Sequence, residues 1–416
     1  MKEIIRNIKG TKDILSDQSF IWIYLENYIH NFFQKFGYKE VRTPTFENSD
    51  LFLRSIGDDT DIVSKEMYSW VDQGNNNLTL RPELTAPVVR SYIQNQLGKQ
   101  NKSHKLYYMG SLYRRERPQK GRFRQFEQFG VEAFGSEFPQ QDGEIISMAY
   151  QLYDSLNVKD LKLKINSIGS KKSREKYKDE LQKYLMQYEN KLTDVSKNRL
   201  KKNPLRILDT KIDFEIEIIK NAPKIIEFLD NNDKQHFQHV LDFLDTINIP
   251  YTIDDYLVRG LDYYSRTVFE IQCDSLGSQS ALCGGGRYDY LVKELGGDDT
   301  PAIGFAAGFE RLIMAMNINK ESIIKNPDVY IIAIGNAAIK YSFIIAQELR
   351  IKKNLIVIND TLQRSLKSQM KDANRLKTNF ALIIGDNELD NNKASIKNMD
   401  TGKQEDISLD NIINYF

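Results

Sequence analysis

Between residues 106 and 135 the chain reads LYYMGSLYRRERPQKGRFRQFEQFGVEAFG, two strand-like runs on either side of a polar loop, Arg115 to Arg122. Alternation of period two sends successive side chains to opposite faces of a sheet, and two such runs joined by a loop close as an antiparallel hairpin. In the return strand Phe126, Gln128 and Glu132 share parity and therefore one face. Gln128 and Glu132 are polar in an otherwise aromatic strand, which is costly unless they bind something. The loop is crowded with Arg115, Arg117, Lys120, Arg122 and Arg124, although 58 basic and 57 acidic residues nearly cancel over the whole chain. Any polyanion must then be held by local patches and not by a global field.

At 416 residues the chain can bury a large core and should hold two or three domains. Ser16 is a candidate N-cap for a helix whose stripe runs Phe20, Ile21, Tyr24, Leu25, Tyr28, Ile29, Phe32 and Phe33 and ends at Gly37. Residues 171–245 are lysine-rich and helical in period, and read as a helical insertion within a first domain spanning 1–325. His236 and His239 sit three apart in it with no cysteine nearby, so a solvated helix face is expected there, not a metal site. Beyond Asn326-Pro327, the buried-strand runs DVYIIAIG, LIVIND and FALIIGD alternate with helical segments, which makes 326–416 a small α/β domain with parallel pairs. Cys273 and Cys283 suggest neither a metal nor a disulfide framework, and no signal-type or spanning apolar run occurs. A cytoplasmic protein with no membrane association is expected. A Walker-type loop GxxxxGK[ST] is absent, and Gly284 to Gly286 read as a tight turn between strands where backbone or ligand approaches closely.

Arg259 to Glu270 reads RGLDYYSRTVFE, a cation and two adjacent tyrosines running into a β-branched and aromatic segment. Taken alone it is equally an ordinary loop entering a strand, with Asp262 exposed and the tyrosines half-buried. The string resembles the histidine-specific signature of histidyl-tRNA synthetases. Residues 106–135 and the segment AIGFAAGFERL (302–312) are similar to motifs 2 and 3 of class II aminoacyl-tRNA synthetases. GYKEVRTPTFE (37–47) is similar to motif 1, the dimer-forming segment, and LTLRPELTAPVVR (78–90) also fits the family. With the C-terminal region, the resemblance covers nearly the whole chain in order.

The resemblance implies a class II α+β catalytic domain built on an antiparallel sheet flanked by helices and not a Rossmann fold, a helical insertion, a C-terminal anticodon-binding α/β domain, and a homodimer. It implies ligation of L-histidine to histidine tRNA through a histidyl-adenylate, with ATP and Mg²⁺. An anion attacking a polyanion needs fixed positive charge around the phosphorus. Arg114 corresponds to the arginine on the α-phosphate, Arg259 to a second cation at the carboxylate and α-phosphate, and Arg311 to a terminal-phosphate contact. Surface ion pairs are the ordinary fate of such arginines. Glu116 matches the acceptor from the adenine amine, Arg122 a γ-phosphate contact, and Phe126 can stack adenine. Glu83, Thr85 and Gln128 are assigned to the ammonium, Glu132 and Tyr264 to the imidazole, with Tyr263 and Tyr288 as pocket wall. Leu84, also in this loop, stands where many members have glycine. No resident metal site is expected.

Arg117 and Gln119 match positions that read the extra 5′ guanosine of histidine tRNA. Arg364, Lys367, Lys371 and Arg375 form a basic stripe opposite Leu362, Leu366 and Met370, suited to phosphate contact or to plain solvation. Two rivals carry different expectations. Regulatory paralogues of the ATP phosphoribosyltransferase of histidine biosynthesis generally lose the motif 2 and 3 arginines and the C-terminal domain. Synthetases for proline or threonine call for zinc ligands or a different pocket.

Overall fold

The computed structural model describes residues 3–57, 60, 62–117, 121–318, 321 and 323–416, with the backbone alone at 278–279. It divides into two compact units, Met1–Ile318 and Asn319–Phe416. Among the described residues no helix is long and apolar enough to cross a membrane.

In the first unit the Ser16–Lys35 helix buries Ile21, Trp22, Leu25, Ile29, Phe32 and Phe33. Leu15, not Ser16, takes the cap position, and no side chain caps the helix. Its far end closes through Gly37 (φ +80°), where the Tyr38 N–H donates to the Phe33 carbonyl. Strand β1 (Lys39–Glu40) precedes a small sheet of β2 (Phe46–Asn48), β3 (Tyr68–Val71) and β4 (Asn77–Leu80), ordered β2-β4-β3. The hairpin strands β5 (His104–Tyr113) and β6 (Gln125–Phe134) pair antiparallel from His104↔Phe134 to Tyr113↔Gln125. They belong to the main sheet with β1, β7 (Leu161–Ser167), β8 (Tyr251–Ile253), β9 (Ser265–Cys273), β10 (Ala281–Arg287) and β11 (Ala302–Gly308). The order is β1-β5-β6-β11-β10-β9-β7-β8. The central pairings are antiparallel, while the edge strands β1 and β8 pair parallel. Helices with a largely antiparallel sheet make this unit α+β.

The pleat sorts the strands between two environments. On β6 the odd residues Phe129, Val131 and Ala133 enter a core shared with the Ser16–Lys35, Pro139–Ser155 and Asn231–Thr246 helices. The even residues Phe126, Gln128 and Glu132 line a cavity on the other face. Gly284 to Gly286 do not form a turn. They lie inside β10, each opposite a residue of β9 and β11. The glycines are needed for close approach, because a Cβ on Gly285 would stand 2.3 Å from the Gly304 carbonyl oxygen.

The insertion folds as the Lys171–Met186, Asp194–Lys202 and Asp213–Ile219 helices, followed by Asn231–Thr246. His236 corrects the expectation of a solvated pair: it is buried and hydrogen-bonded to Asp142, a carboxylate distant in sequence. Arg287, fully buried, also reaches Asp142 (Nε–Oδ1 2.8 Å). A buried carboxylate needs such partners, and the two come from different parts of the chain.

The second unit holds a sheet of β12 (Val329–Ile334), β13 (Val357–Asn359), β14 (Phe380–Gly385), β15 (Lys393–Asn398) and β16 (Gln404–Ser408). Its order is β13-β12-β14-β15-β16, with parallel pairs flanking β12 and an antiparallel extension through β15 and β16. The Asn336–Lys353 and Leu366–Arg375 helices complete it.

Candidate active site

A cavity of about 230 Å³ opens where β6, β11 and β10 run side by side. Register explains the space. Glu132 pairs with Gly304, and Gly304 with Gly286, so two of three adjacent positions carry no side chain. Glu132 fills the vacated room: it is 1 % exposed and accepts from Thr85 Oγ1 (2.8 Å), Tyr108 Oη (3.1 Å) and Tyr288 Oη (2.5 Å). Burial pushes its carboxyl up to about 8, against the pull of the Tyr288 and Thr85 hydrogen bonds and with help from nearby Glu83. A carboxylate so tuned has affinity to spare for a polar or cationic guest.

Glu83 stands at the start of the Thr85–Gln94 helix and accepts from the Thr85 and Ala86 N–H groups (2.7 and 2.9 Å). Its pKa is raised, again by burial first. Leu84 between them has φ −113° and is buried against Val88 and Val89. The loop thus adopts a conformation open to any residue, and leucine in the family's glycine position packs without strain. Tyr263 and Tyr264 are buried with ring centroids 4.7 Å apart, and Tyr263 meets Tyr288 edge-on at 5.7 Å.

The same cavity carries a cluster of cations. Arg114, Arg122, Arg259 and Arg311 all line it, as do Glu116, Phe126 and Gln128. Arg114 donates to the Pro82 carbonyl (2.9 Å) and holds its guanidinium 5.3 Å from the Phe126 ring centre. Glu116 is the carboxylate among them, 3.3 Å from Arg122 and 3.8 Å from Arg114. Arg311 donates to the Ala281 carbonyl (2.8 Å), and its pKa is lowered by burial and then by the neighbouring Arg122 charge. Like charges gathered in a half-buried site favour an anionic guest. Arg259 is paired with Glu270 on β9. Burial opposes its charge, but Glu270 outweighs that and leaves the pKa raised.

Every residue expected at the amino-acid and nucleotide ends therefore lines one cavity. The model described as "Histidyl-tRNA synthetase" matches residues 10–312. The chain belongs to the histidyl-tRNA synthetase family. The model described as "Anticodon binding domain" matches residues 328–416. The histidine–tRNA ligase of Halothermothrix orenii is 47 % identical over 97 % of this chain and 97 % of that protein. That of Staphylococcus haemolyticus is 45 % identical over 99 % of each. Among solved structures, apo histidyl-tRNA synthetase of S. aureus superposes with a TM-score of 0.84 at 40 % identity, over 99 % of this chain and 100 % of that one.

Of the residues the sequence offers to RNA, Arg117 is exposed, while Gln119 and Lys120 lie outside the described residues. The C-terminal stripe needs correction. Arg364 precedes the Leu366–Arg375 helix and is tied to Asp360 and Asp372 (each 2.6 Å), and Arg375 also pairs with Asp372 (3.0 Å). Leu362 and Leu366 are 71 % and 47 % exposed, so they form no buried counter-face. Gln369 and Ala373 are buried instead, leaving Lys367 and Lys371 on the solvent side.

Three site residues escaped the reading of the sequence. Tyr108 reaches Glu132 across Gly130, whose missing side chain leaves it room. Glu270 anchors Arg259 and faces Gly284 across the β9–β10 pair. Glu310, beside Arg311, accepts from the Glu127 N–H (3.3 Å), and burial pushes its carboxyl up to about 7. A glycine opposite a carboxylate in a strand pair was the available signal for Glu270.

Proposed function

We infer that the protein joins L-histidine to histidine tRNA in two steps, forming histidyl-adenylate and pyrophosphate from ATP and then transferring histidine to the tRNA with release of AMP. The observation that carries this is the single cavity lined both by Glu132 with its hydroxyl partners and by Arg114, Arg259 and Arg311. Glu132 and Tyr264 take the two imidazole nitrogens, and Glu83, Thr85 and Gln128 the ammonium. An apolar competitor would leave these buried groups unpaired, a discrimination of about 10⁴-fold without editing.

Phe126 stacks the adenine, and Glu116 accepts from its amine. Arg114 and Arg259 flank the α-phosphate as the histidine carboxylate attacks, stabilising charge that builds on the phosphoryl oxygens. Arg122 and Arg311 hold the departing pyrophosphate. Mg²⁺ travels with the nucleotide: Glu310 lines the cavity beside Arg311 and would supply a carboxylate of the kind such an ion takes beside phosphates, where it offsets their charge.

Arg117 and Gln119 on the hairpin loop serve the acceptor end of the tRNA, and the unit beyond residue 325 serves the anticodon through Lys367 and Lys371. A homodimer is supported by the exposed apolar residues Phe46, Trp70 and Val71 on the small sheet, Phe46 being part of the motif 1 segment. The working compartment is the cytoplasm. The regulatory-paralogue reading is disfavoured because Arg114, Arg259 and Arg311 are all retained in one cavity. Charging assays on purified histidine tRNA test the proposal: histidine should become acid-precipitable with ATP present, and a protein that binds histidine yet never charges the tRNA would refute it.

A further inference from the structure

Residues 259–264 carry Arg259, Tyr263 and Tyr264 into the cavity but lie in no helix or strand. Their place depends on tethers outside the sheet. Asp262 supplies one from the side facing away from the cavity: its Oδ1 accepts from Arg206 Nη2 (3.0 Å) and Asn203 Nδ2 (3.1 Å), both of the helical insertion. Its Oδ2 rests on Gly57 (φ +93°), where a Cβ would stand 2.7 Å away. The insertion grips the same segment again through Arg174, which donates to the Tyr264 carbonyl (2.6 Å). Arg259, Leu261 and Tyr264 separate the main cavity from a second one of about 200 Å³ lined by Arg174, Asn203, Arg206 and Asp262. Apolar residues of the insertion, Tyr177, Leu181 and Ile207, share one buried cluster with Tyr263 and Tyr264.

We propose that Asp262 is a positioning residue through which the helical insertion fixes the Arg259–Tyr264 segment for histidine binding and activation. This rests on the reading that the cavity takes histidine. A segment without ladder hydrogen bonds gains freedom when a tether is cut, and a misplacement of about 1 Å at reacting groups costs up to about 10²-fold in rate. The nucleotide contacts at Arg114 and Arg311 sit on other elements and should be spared.

Histidine-dependent ATP–pyrophosphate exchange tests this. Asp262→Ala should raise the KM for histidine about tenfold and lower kcat, with the KM for ATP within about twofold. Asp262→Asn, which keeps the Oδ1 acceptor, should recover most of the loss. Arg206→Ala cuts the contact from the insertion side and leaves the loop sequence intact, which guards against a folding defect in the first variant. It should reproduce the histidine effect, and the double variant should be no worse than Asp262→Ala alone. Unchanged histidine parameters in well-folded Asp262→Ala and Arg206→Ala would overturn the proposal, as would additive effects in the double variant or an asparagine as harmful as alanine. A wild-type protein inactive with histidine would instead refute the reading of the cavity itself.

Discussion

Glu132 and Gly304 face each other across the β6–β11 pair, and a Cβ on Gly304 would stand 1.8 Å from Glu132 Oε2. The carboxylate occupies space that exists because its neighbour has no side chain. Gly304→Ala should therefore displace Glu132 from Tyr288 and Thr85 and raise the histidine KM by about tenfold or more, since the buried acceptor loses aligned donors. Steady-state exchange at saturating ATP measures it, and a wild-type KM would show that Glu132 can move without cost.

The elevated Glu132 carboxyl has a consequence for unliganded stability. Its folded pKa of about 8 exceeds the unfolded value, so the folded state binds the extra proton between the two. The associated stability is present below the unfolded pKa and is lost as pH rises through the folded pKa. Glu132→Gln cannot ionise. Thermal melts between pH 5 and 9 should show the wild type losing more stability than Glu132→Gln up to about pH 8, with parallel curves above. Parallel curves throughout would contradict the burial-driven shift.

Arg259 is held by Glu270 and packed against Gly284, where a Cβ would come within 1.8 Å of Nη2. Arg259→Ala should slow single-turnover adenylate formation by on the order of 10²-fold while changing ATP affinity much less. Gly284→Ala should produce a milder loss of the same kind, by pushing the guanidinium off its anchor. A loss confined to affinity would make Arg259 a ground-state ligand.

Much of the site was legible because it rests on period and parity. The shared face of Phe126, Gln128 and Glu132 follows from strand geometry alone, and the cavity lies on that face. What stayed hidden depended on partners far along the chain. His236 read as solvated because Asp142, 94 positions away, is invisible to local inspection. The glycine run reads as a turn because close approach and tight turning demand the same residue, and strand pairing decides between them. Arg364 reads as a free cation of the stripe because its pairing with Asp360 and Asp372 depends on how the chain folds around it.

In the C-terminal unit Lys367 and Lys371 are exposed on the stripe, as is Arg375, which pairs with Asp372, while Arg364 is half-buried between Asp360 and Asp372. Replacing both lysines by alanine should weaken tRNA binding and flatten its salt dependence by roughly two units of slope, about one per phosphate contact. Pyrophosphate exchange with histidine should be unaffected. Filter binding across a salt series gives the slope, and an unchanged slope would remove this helix from the RNA interface.

The central claim is that one cavity selects histidine and activates it. Amino-acid-dependent ATP–pyrophosphate exchange, run in parallel with all twenty amino acids, tests it most directly. Histidine alone should support fast exchange, with the others lower by about 10³-fold or more, as expected of a pocket whose buried polar groups need the imidazole. Comparable exchange with proline, threonine or any other amino acid would contradict the account.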